Sequence, residues 1–339
     1  MLKFSTAGVD LAKNVIQVHG IDDLGRVVVR RQLRRSQFLA FFEGRPRCLI
    51  GMEACAGAHH WGRRLQELGH DVRLMPPSYV KPYVKRNKTD ANDAEAICEA
   101  VTRPSMRYVP IKSEEASAAL VLHRARDFLV GQVTQVGNAI RAHMAEFGIV
   151  TAKGSKRVSN LAGELNALPE AARAPLQMLF EQLKDTQQKI DRLTDEIEKV
   201  HLRSEVSCRL VSIPGVGVLT ATAIAATTPD VSNFSSARDF AAWLGLTPKQ
   251  HSTGGKHRSG GISKMGNRYI RRLLYLGAMA QIMLRRRLRN PGSDWLSRKL
   301  NTKETKVVAI ALANRMARRI FAMLRDGTDY RPQPQAIPC

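Results

Sequence analysis

The sequence has no paired cysteines. Its five, Cys48, Cys55, Cys98, Cys208 and Cys339, are scattered, and none stands in a Cys-x-x-Cys pair. That pattern excludes a cysteine-based zinc site and a disulfide framework, and it fits a reducing cytoplasm. Long apolar runs are missing as well. The most apolar stretch, 210–228, is broken by Pro214, Gly215 and Gly217, so no membrane span is expected. The first residues have no signal-peptide layout, and the expected compartment is the cytoplasm. Acidic residues are scarce: 30 Asp and Glu stand against 53 Lys and Arg, a net charge of +23. Such a chain seeks a polyanion, most simply nucleic acid. An anionic membrane surface is the weaker alternative, because no basic amphipathic helix stands apart from the rest.

What is present, over 339 residues, is enough for two or three domains. The first hundred residues read as an ordered series. Strands are expected from Phe4 to Val9, Val15 to Ile21 and Arg26 to Leu33, with a turn at Asp22-Asp23-Leu24-Gly25. A short helix opens at Ser36, a buried strand runs from Arg47 to Met52, and a helix from Ala58 stops at Gly69. A strand over Asp71 to Met75 follows, then a loop from Pro76-Pro77 carrying Lys81, Lys85, Arg86 and Lys88. The next helix begins near Asp90 and ends before Pro104. This order matches the ribonuclease-H-like (RuvC-like) α/β layout.

In that layout the first strand and the later parallel strand are neighbours, so Asp10 and Glu53 should meet at their ends. Asp90 and Asp93, three residues apart, share one helix face. Thr89 or Asp90 can cap that helix, and carboxylates suit its first turn. Four acids at one spot repel one another unless divalent cations lie between them. Hard oxygen ligands favour Mg²⁺ or Mn²⁺. Two such ions can clamp the attacking and leaving oxygens of a phosphodiester displacement.

The middle of the chain is helical. Ser113 to Phe147 has apolar positions at helical spacing, and a glycine- and base-rich break follows at 153–157. After Pro169, Leu176, Leu179, Leu183, Thr186, Ile190, Leu193, Ile197 and Val200 step by threes and fours. This is a heptad seam with one polar position, expected as a coiled-coil hairpin closing on itself or on another subunit. The last third is mostly α-helical. Pro214-Gly215-Val216-Gly217 resembles the turn of a helix-hairpin-helix element, with the glycine backbone at 215 and 217 offered to phosphate. Ser235 to Leu244 reads as a helix with Trp243 in the core. The stretch 245–267 reads as a long loop rich in glycine and base, hence functional. It offers Lys249, Lys256, Arg258 and Lys264 as phosphate contacts, and Ser252, Thr253, Ser259 and Ser263 as hydroxyls. Helices follow from Tyr269 to Leu284 and from Thr305 to Leu324. The expected division is 1–110, 111–205 and 206–330, with a tail over 331–339.

Two groups of motifs share a resemblance. Gly-Val-Asp-Leu-Ala-Lys around Asp10, Met-Glu-Ala-Cys around Glu53 and Lys-Thr-Asp-Ala-Asn-Asp-Ala around Asp90 and Asp93 resemble the DEDD motif of the Piv-like insertion-sequence transposases. This is the insertion-sequence one-ten family, also called bridge recombinases. Leu-Gly-Leu-Thr-Pro, His-Ser-Thr-Gly-Gly-Lys and Gly-Ile-Ser-Lys-Met-Gly-Asn resemble that family's carboxyl-terminal transposase domain. The resemblance implies a composite active site, with a serine carried over onto Ser252 beside Thr253. It implies a covalent serine–5′-phosphate intermediate, donor and target DNA, a structured guide RNA, and a dimer or tetramer of the chain. A metal-dependent Holliday-junction-type endonuclease using water, a site-specific invertase and a nucleic-acid-binding protein are the competing readings.

Overall fold

The computed structural model describes residues 3–85, 89–152, 154–228, 230–287 and 294–330; the side chains of Ser155, Lys156, Lys256, His257 and Ser259 are outside that description. The chain divides into two compact units, Met1–Glu114 and the remainder from Glu115.

The first unit is built on a five-stranded sheet. Its strands are β1 (Thr6–Leu11), β2 (Val15–Ile21), β3 (Val27–Arg34), β4 (Leu49–Glu53) and β5 (Asp71–Met75), in the spatial order β3-β2-β1-β4-β5. The β1–β2 and β2–β3 pairs are antiparallel, whereas β4 runs parallel to β1 and β5 parallel to β4. The turn from β2 into β3 is held by Asp22, whose carboxylate accepts from the Leu24 and Arg26 amides. Gly25 there takes a φ of +76°. This is the expected ribonuclease-H-like sheet.

Alternation along the strands gives the sheet two different faces. Ala7, Val9, Ile16, Val18, Ile50 and Met52 form one, packed on Phe38 and Phe42 of α1 (Phe38–Phe42) and Trp61 and Leu65 of α2 (Ala58–Glu67). The other carries Gly8, Asp10, Gly51 and Glu53. The expected loop after Pro76 is instead a short helix, α3 (Pro77–Val80), followed by a 3₁₀ turn over Lys81–Tyr83. Pro77 at a first helical position starts the helix without losing a hydrogen bond. The unit's last helix is α4 (Asp90–Val101).

In the second unit, α5 (Glu114–Ala145) and α7 (Glu170–Leu202) are the two long helices. The base-rich break between them is followed by α6 (Ser155–Asn160) and a 3₁₀ segment. Val136, Ile140 and Met144 of α5 share a core with Val158, Leu161, Leu176, Phe180 and Leu183. The seam of α7 is therefore closed within the chain over this stretch. Its polar position costs little: the Thr186 hydroxyl donates to the Gln182 carbonyl of its own helix.

The larger core joins α8 (Glu205–Leu210), α9 (Val218–Thr227), α10 (Ala237–Trp243), α11 (Arg268–Arg287), α12 (Trp295–Thr302) and α13 (Thr305–Asp326). Helix α12 was not legible in the sequence, because an eight-residue helix carries few periodic positions. The stretch read as a loop, 245–267, is instead an antiparallel hairpin of β6 (Pro248–Thr253) and β7 (Lys256–Ile262). Gly254 and Gly255, at φ of +55° and +77°, form its two-residue turn. Polar residues throughout hid its alternation. None of the described helices is long and apolar enough to cross a membrane.

A histidine is sealed inside this unit. His123 of α5 is 1% exposed. Its Nδ1 lies 3.0 Å from the Tyr269 hydroxyl of α11, and its Nε2 3.0 Å from the Thr222 hydroxyl of α9. Burial, with a contribution from Arg126, pushes the imidazole pKa down to about 4 from 6.5. The folded state keeps it neutral where the unfolded chain takes up a proton. Its contribution to stability is complete above about pH 6.5 and is lost as pH falls toward 4, at up to about 1.4 kcal/mol per pH unit. His123→Gln should therefore be less stable than wild type at pH 7.5, with a gap that narrows by pH 5. Urea midpoints of both proteins at the two pH values test this; a constant gap would show that the imidazole is not held neutral.

Candidate metal centre

The site begins with a glycine. A Cβ on Gly8 of β1 would lie 2.2 Å from the Ala94 carbonyl oxygen and 2.3 Å from the Cys98 amide nitrogen of α4. On the neighbouring strand, Gly51 is the register partner of Gly8, and a Cβ there would meet Val101 at 2.7 Å. Helix α4 thus lies on backbone, closer than any side chain would allow. Its alanines match: Ala94, Ala96 and Ala100 are all buried.

Levels follow from this contact. Asp10 lies two residues beyond Gly8 along β1, a rise of about 6.6 Å. Asp90 lies four residues before Ala94 on α4, a rise of about 6 Å. Helix and strand therefore deliver their carboxylates to the same height on the same face. Thr89 sets the helix start: its backbone is extended and its hydroxyl accepts from the Asn92 amide at 3.2 Å. Asp93 follows in the first turn, where the helix dipole favours a carboxylate.

The outcome is a cluster in which carboxylate oxygens of Asp10, Asp90 and Asp93 all lie within 4.8 Å of one another. Ligand oxygens around one octahedral ion with bonds near 2.1 Å are about 3–4 Å apart, so the set is of the right size and chemistry for a hard divalent cation. Glu53 stands outside this trio. Register places it beside Asp10, because Val9 pairs with Met52 and both strands run the same way. The thiol of Cys55 feels both carboxylates: its pKa is pushed up by its packing, then by Glu53, then by Asp10.

Of the expected nucleic-acid contacts in this unit, Arg86 and Lys88 lie outside the described residues. Lys85 is ion-paired to Glu95 of α4, which also stands 3.5 Å from Arg30. The Lys85 hydrogen bond holds the Glu95 carboxyl below its usual range.

In the second unit, Gly215 and Gly217 lie in the turn between α8 and α9, as expected of a helix-hairpin-helix element. Gly215, at φ +84°, packs on α11: a Cβ on Gly277 would lie 1.9 Å from its carbonyl oxygen, and Gln281 donates to the Pro214 carbonyl at 2.6 Å. Gly217 is exposed at the start of α9. The hairpin's base is held equally tightly. Gly266 leaves only 1.8 Å between a would-be Cβ and the Trp243 carbonyl oxygen, and Arg271 donates to the Leu244 and Met265 carbonyls at 2.9 Å each. The Asn267 side chain accepts from the Tyr269 and Ile270 amides and caps α11. The end of the glycine- and base-rich stretch, Gly266 and Asn267, therefore anchors a hairpin.

Ser252 lies on β6, whose residues are all exposed. Its register partner is His257, and that of His251 is Arg258. Strand alternation puts Gln250 and Ser252 on one face and His251, Thr253 and Arg258 on the other. The two adjacent hydroxyls therefore cannot serve one target. Lys249, Arg258 and Lys264 are exposed, and Lys264 takes a φ of +57° at the hairpin's foot.

A carboxylate trio gathered where β1 ends and α4 begins, on a ribonuclease-H-like sheet, is the arrangement of a DEDD-type polynucleotide-processing enzyme that works with divalent metal ions. Comparison with known proteins gives the particular kind. Residues 7–149 match a DEDD transposase model, and residues 207–292 match the model described as "Transposase IS116/IS110/IS902 family". A "Probable family 20 transposase" of Pseudomonas aeruginosa is 46% identical over 98% of this chain and all of its own length. The "Transposase for insertion sequence element IS1328" of Yersinia enterocolitica is 38% identical over 95% of this chain and 97% of its own. The counterpart for IS1111A of Coxiella burnetii is 38% identical over 96% and 90%. The chain belongs to the IS110/IS116/IS902 family of insertion-sequence transposases, enzymes that cut and rejoin DNA.

The sequence reading missed Gly8 and Gly51; a glycine inside a strand is the signal that marks a close backbone approach. Gly8→Ala should displace α4, destabilise the fold by about 1–3 kcal/mol as overpacking does, and abolish DNA cleavage. Asp10→Ala should abolish cleavage with the melting temperature unchanged or raised, since a like charge is removed. Melting curves and cleavage of element-end DNA separate the two. Near-normal cleavage by Asp10→Ala would sink the metal-centre assignment.

Proposed function

We propose that the protein moves its insertion sequence through a serine–5′-phosphate intermediate, with Mg²⁺ or Mn²⁺ held by Asp10, Glu53, Asp90 and Asp93. The observation that carries this reading is the convergence of Asp10, Asp90 and Asp93. Glu53, in register beside Asp10, completes the set. Divalent ions held by these carboxylates would supply Lewis-acid stabilisation of the scissile phosphate and of the departing oxygen.

Ser252 is the nucleophile in this reading. Its Oγ forms a bond to phosphorus as the bond from phosphorus to the 3′ oxygen breaks. The hydroxyl proton leaves to a base, and the 3′ oxygen departs with the bonding electron pair and is protonated. A serine hydroxyl needs such activation. The phosphoserine linkage conserves the phosphodiester for attack by a second strand's 3′ hydroxyl, which recombination needs and hydrolysis lacks. Lys249, Lys256, Arg258 and Lys264 supply cations to the DNA backbone, as do Lys85, Arg86 and Lys88 in the first unit. Gly215 and Gly217 offer backbone amides at the α8–α9 turn. The family resemblance adds donor and target DNA chosen by pairing with a structured RNA. Because the serine and the acids lie in different units of the chain, we further propose a homo-oligomer in which they come from different subunits.

The test is to trap the reaction on labelled DNA and map the adduct by peptide mass spectrometry. Ser252→Ala should abolish the adduct and Thr253→Ala should retain it, because the two side chains face opposite ways. An adduct on Thr253 or Ser259 would move the nucleophile. Mg²⁺-dependent cleavage with no adduct would make the enzyme a water-using nuclease. Degrading the co-purifying RNA should abolish cleavage of specific sites; undiminished cleavage would remove the RNA from the mechanism.

A further inference from the structure

The face of the sheet that carries the acids does not end at Asp10. Antiparallel partners point to the same side, so the register extends that face across β2 and β3. Asp10 pairs with Gln17, and Gln17 with Gln32, forming one row. Gly8, His19 and Arg30 form the row behind it, and Val15 and Arg34 the row in front. Two observations fix the assignment of faces. Arg30 reaches Glu95 of α4, at 3.5 Å, and His19 is influenced by Glu95 as well as by its own burial. The opposite residues Ile16, Val18, Val29 and Leu33 are all in the core on the other face.

Helix α4 covers β1 and the near part of β2, and the row continues beyond it into solvent. Gln17 is half-buried, while Arg30, Gln32 and Arg34 are exposed. Among the described residues, neither glutamine amide has a hydrogen-bond partner, and the Arg34 guanidinium has no ion pair. Cations on an edge strand also keep it from pairing with other chains. That accounts for Arg30 and Arg34 but not for Gln17, which sits inside the sheet between β1 and β3.

We infer that this shelf, Gln17 and Gln32 with Arg30 and Arg34 at its rim, is a binding track for the DNA strand that adjoins the scissile phosphate. The inference rests on the metal centre being where the strand is cut. The shelf runs outward from Asp10 for two strand spacings, about 10 Å, which is within the reach of the adjoining nucleotides. Its chemistry fits that ligand. Guanidinium groups bind phosphate oxygens in a fork, and neutral amides both donate and accept toward sugar, phosphate and base edges. Arg34 gives the phosphate contact. Arg30 is shared with Glu95 and sets the shelf's inner edge. A strand lying here is positioned for cleavage without placing another charge beside the metal-binding acids.

Arg31 supplies an internal control. It is on the same strand, equally charged and exposed, but on the opposite face. The full-length protein with its co-purified RNA is titrated with labelled DNA bearing the element's end, over a range of salt. Losing one phosphate contact on duplex DNA should lower the magnitude of the log K against log salt slope by about 0.9. Arg34→Gln should show that loss, and Arg31→Gln should not. Independently, a photo-crosslinking side chain at position 32 should capture the DNA, and one at position 31 should not. Equal slopes for the two arginine variants, equal capture at both positions, or capture of RNA alone at position 32 would each overturn the shelf. These readouts need binding only. Failure of the wild-type protein to cleave would count against the functional reading and leave the crosslinks to decide the shelf.

Discussion

The first unit of this protein depends on one contact, the seating of α4 on the backbone of β1 and β4. Two glycines in register, Gly8 and Gly51, make the seat. Without side chains there, helix and sheet approach until the Ala94 carbonyl and the Cys98 amide occupy the space a methyl group would take. The contact fixes the height and the distance of Asp90 and Asp93 relative to Asp10. An ordinary helix–sheet separation would spread the carboxylates past the span one ion can bridge. Packing thus holds three like charges together, a gathering that a divalent cation would offset.

Charge in this protein is organised on two scales. The chain as a whole carries +23, which draws it to a polyanion and makes association salt-dependent. At the ends of β1 and α4 the sign reverses locally. On that face the exposed cations Arg30 and Arg34 lie outward of the acids. Lys85, Arg30 and Glu95 mark the transition, since the Glu95 carboxylate ties both bases to α4.

The second unit solves a different problem, the display of a polar hairpin from a helical body. Buried glycine contacts recur here: Gly215 against Gly277, and Gly266 against Trp243. The former brings the α8–α9 turn against α11, and the latter clamps the hairpin's foot between α10 and α11. Arg271 and Asn267 complete the clamp by satisfying carbonyls and amides at the helix ends. Among its described residues the hairpin contributes none to the core. Its alternation therefore leaves no apolar period in the sequence.

The strand order of the first unit, the helix boundaries near Asp90 and after Pro169, and the pairing of Asp10 with the strand bearing Glu53 were all legible in the sequence. Each is a local pattern: alternation, a capping threonine, turn glycines, a seam stepping by threes and fours. That Asp10 would meet Asp90 and Asp93 was legible for the same reason, since all three stand at element ends. Tertiary structure alone decided the rest. It set three of the four acids within one coordination span and left Glu53 beside them. It turned a supposed loop into a hairpin whose adjacent hydroxyls face opposite ways. It closed much of the α7 seam inside the chain and sealed His123 among α5, α9 and α11. These outcomes depend on distances between residues far apart in sequence, and interresidue distance is set by close packing, which no local pattern encodes.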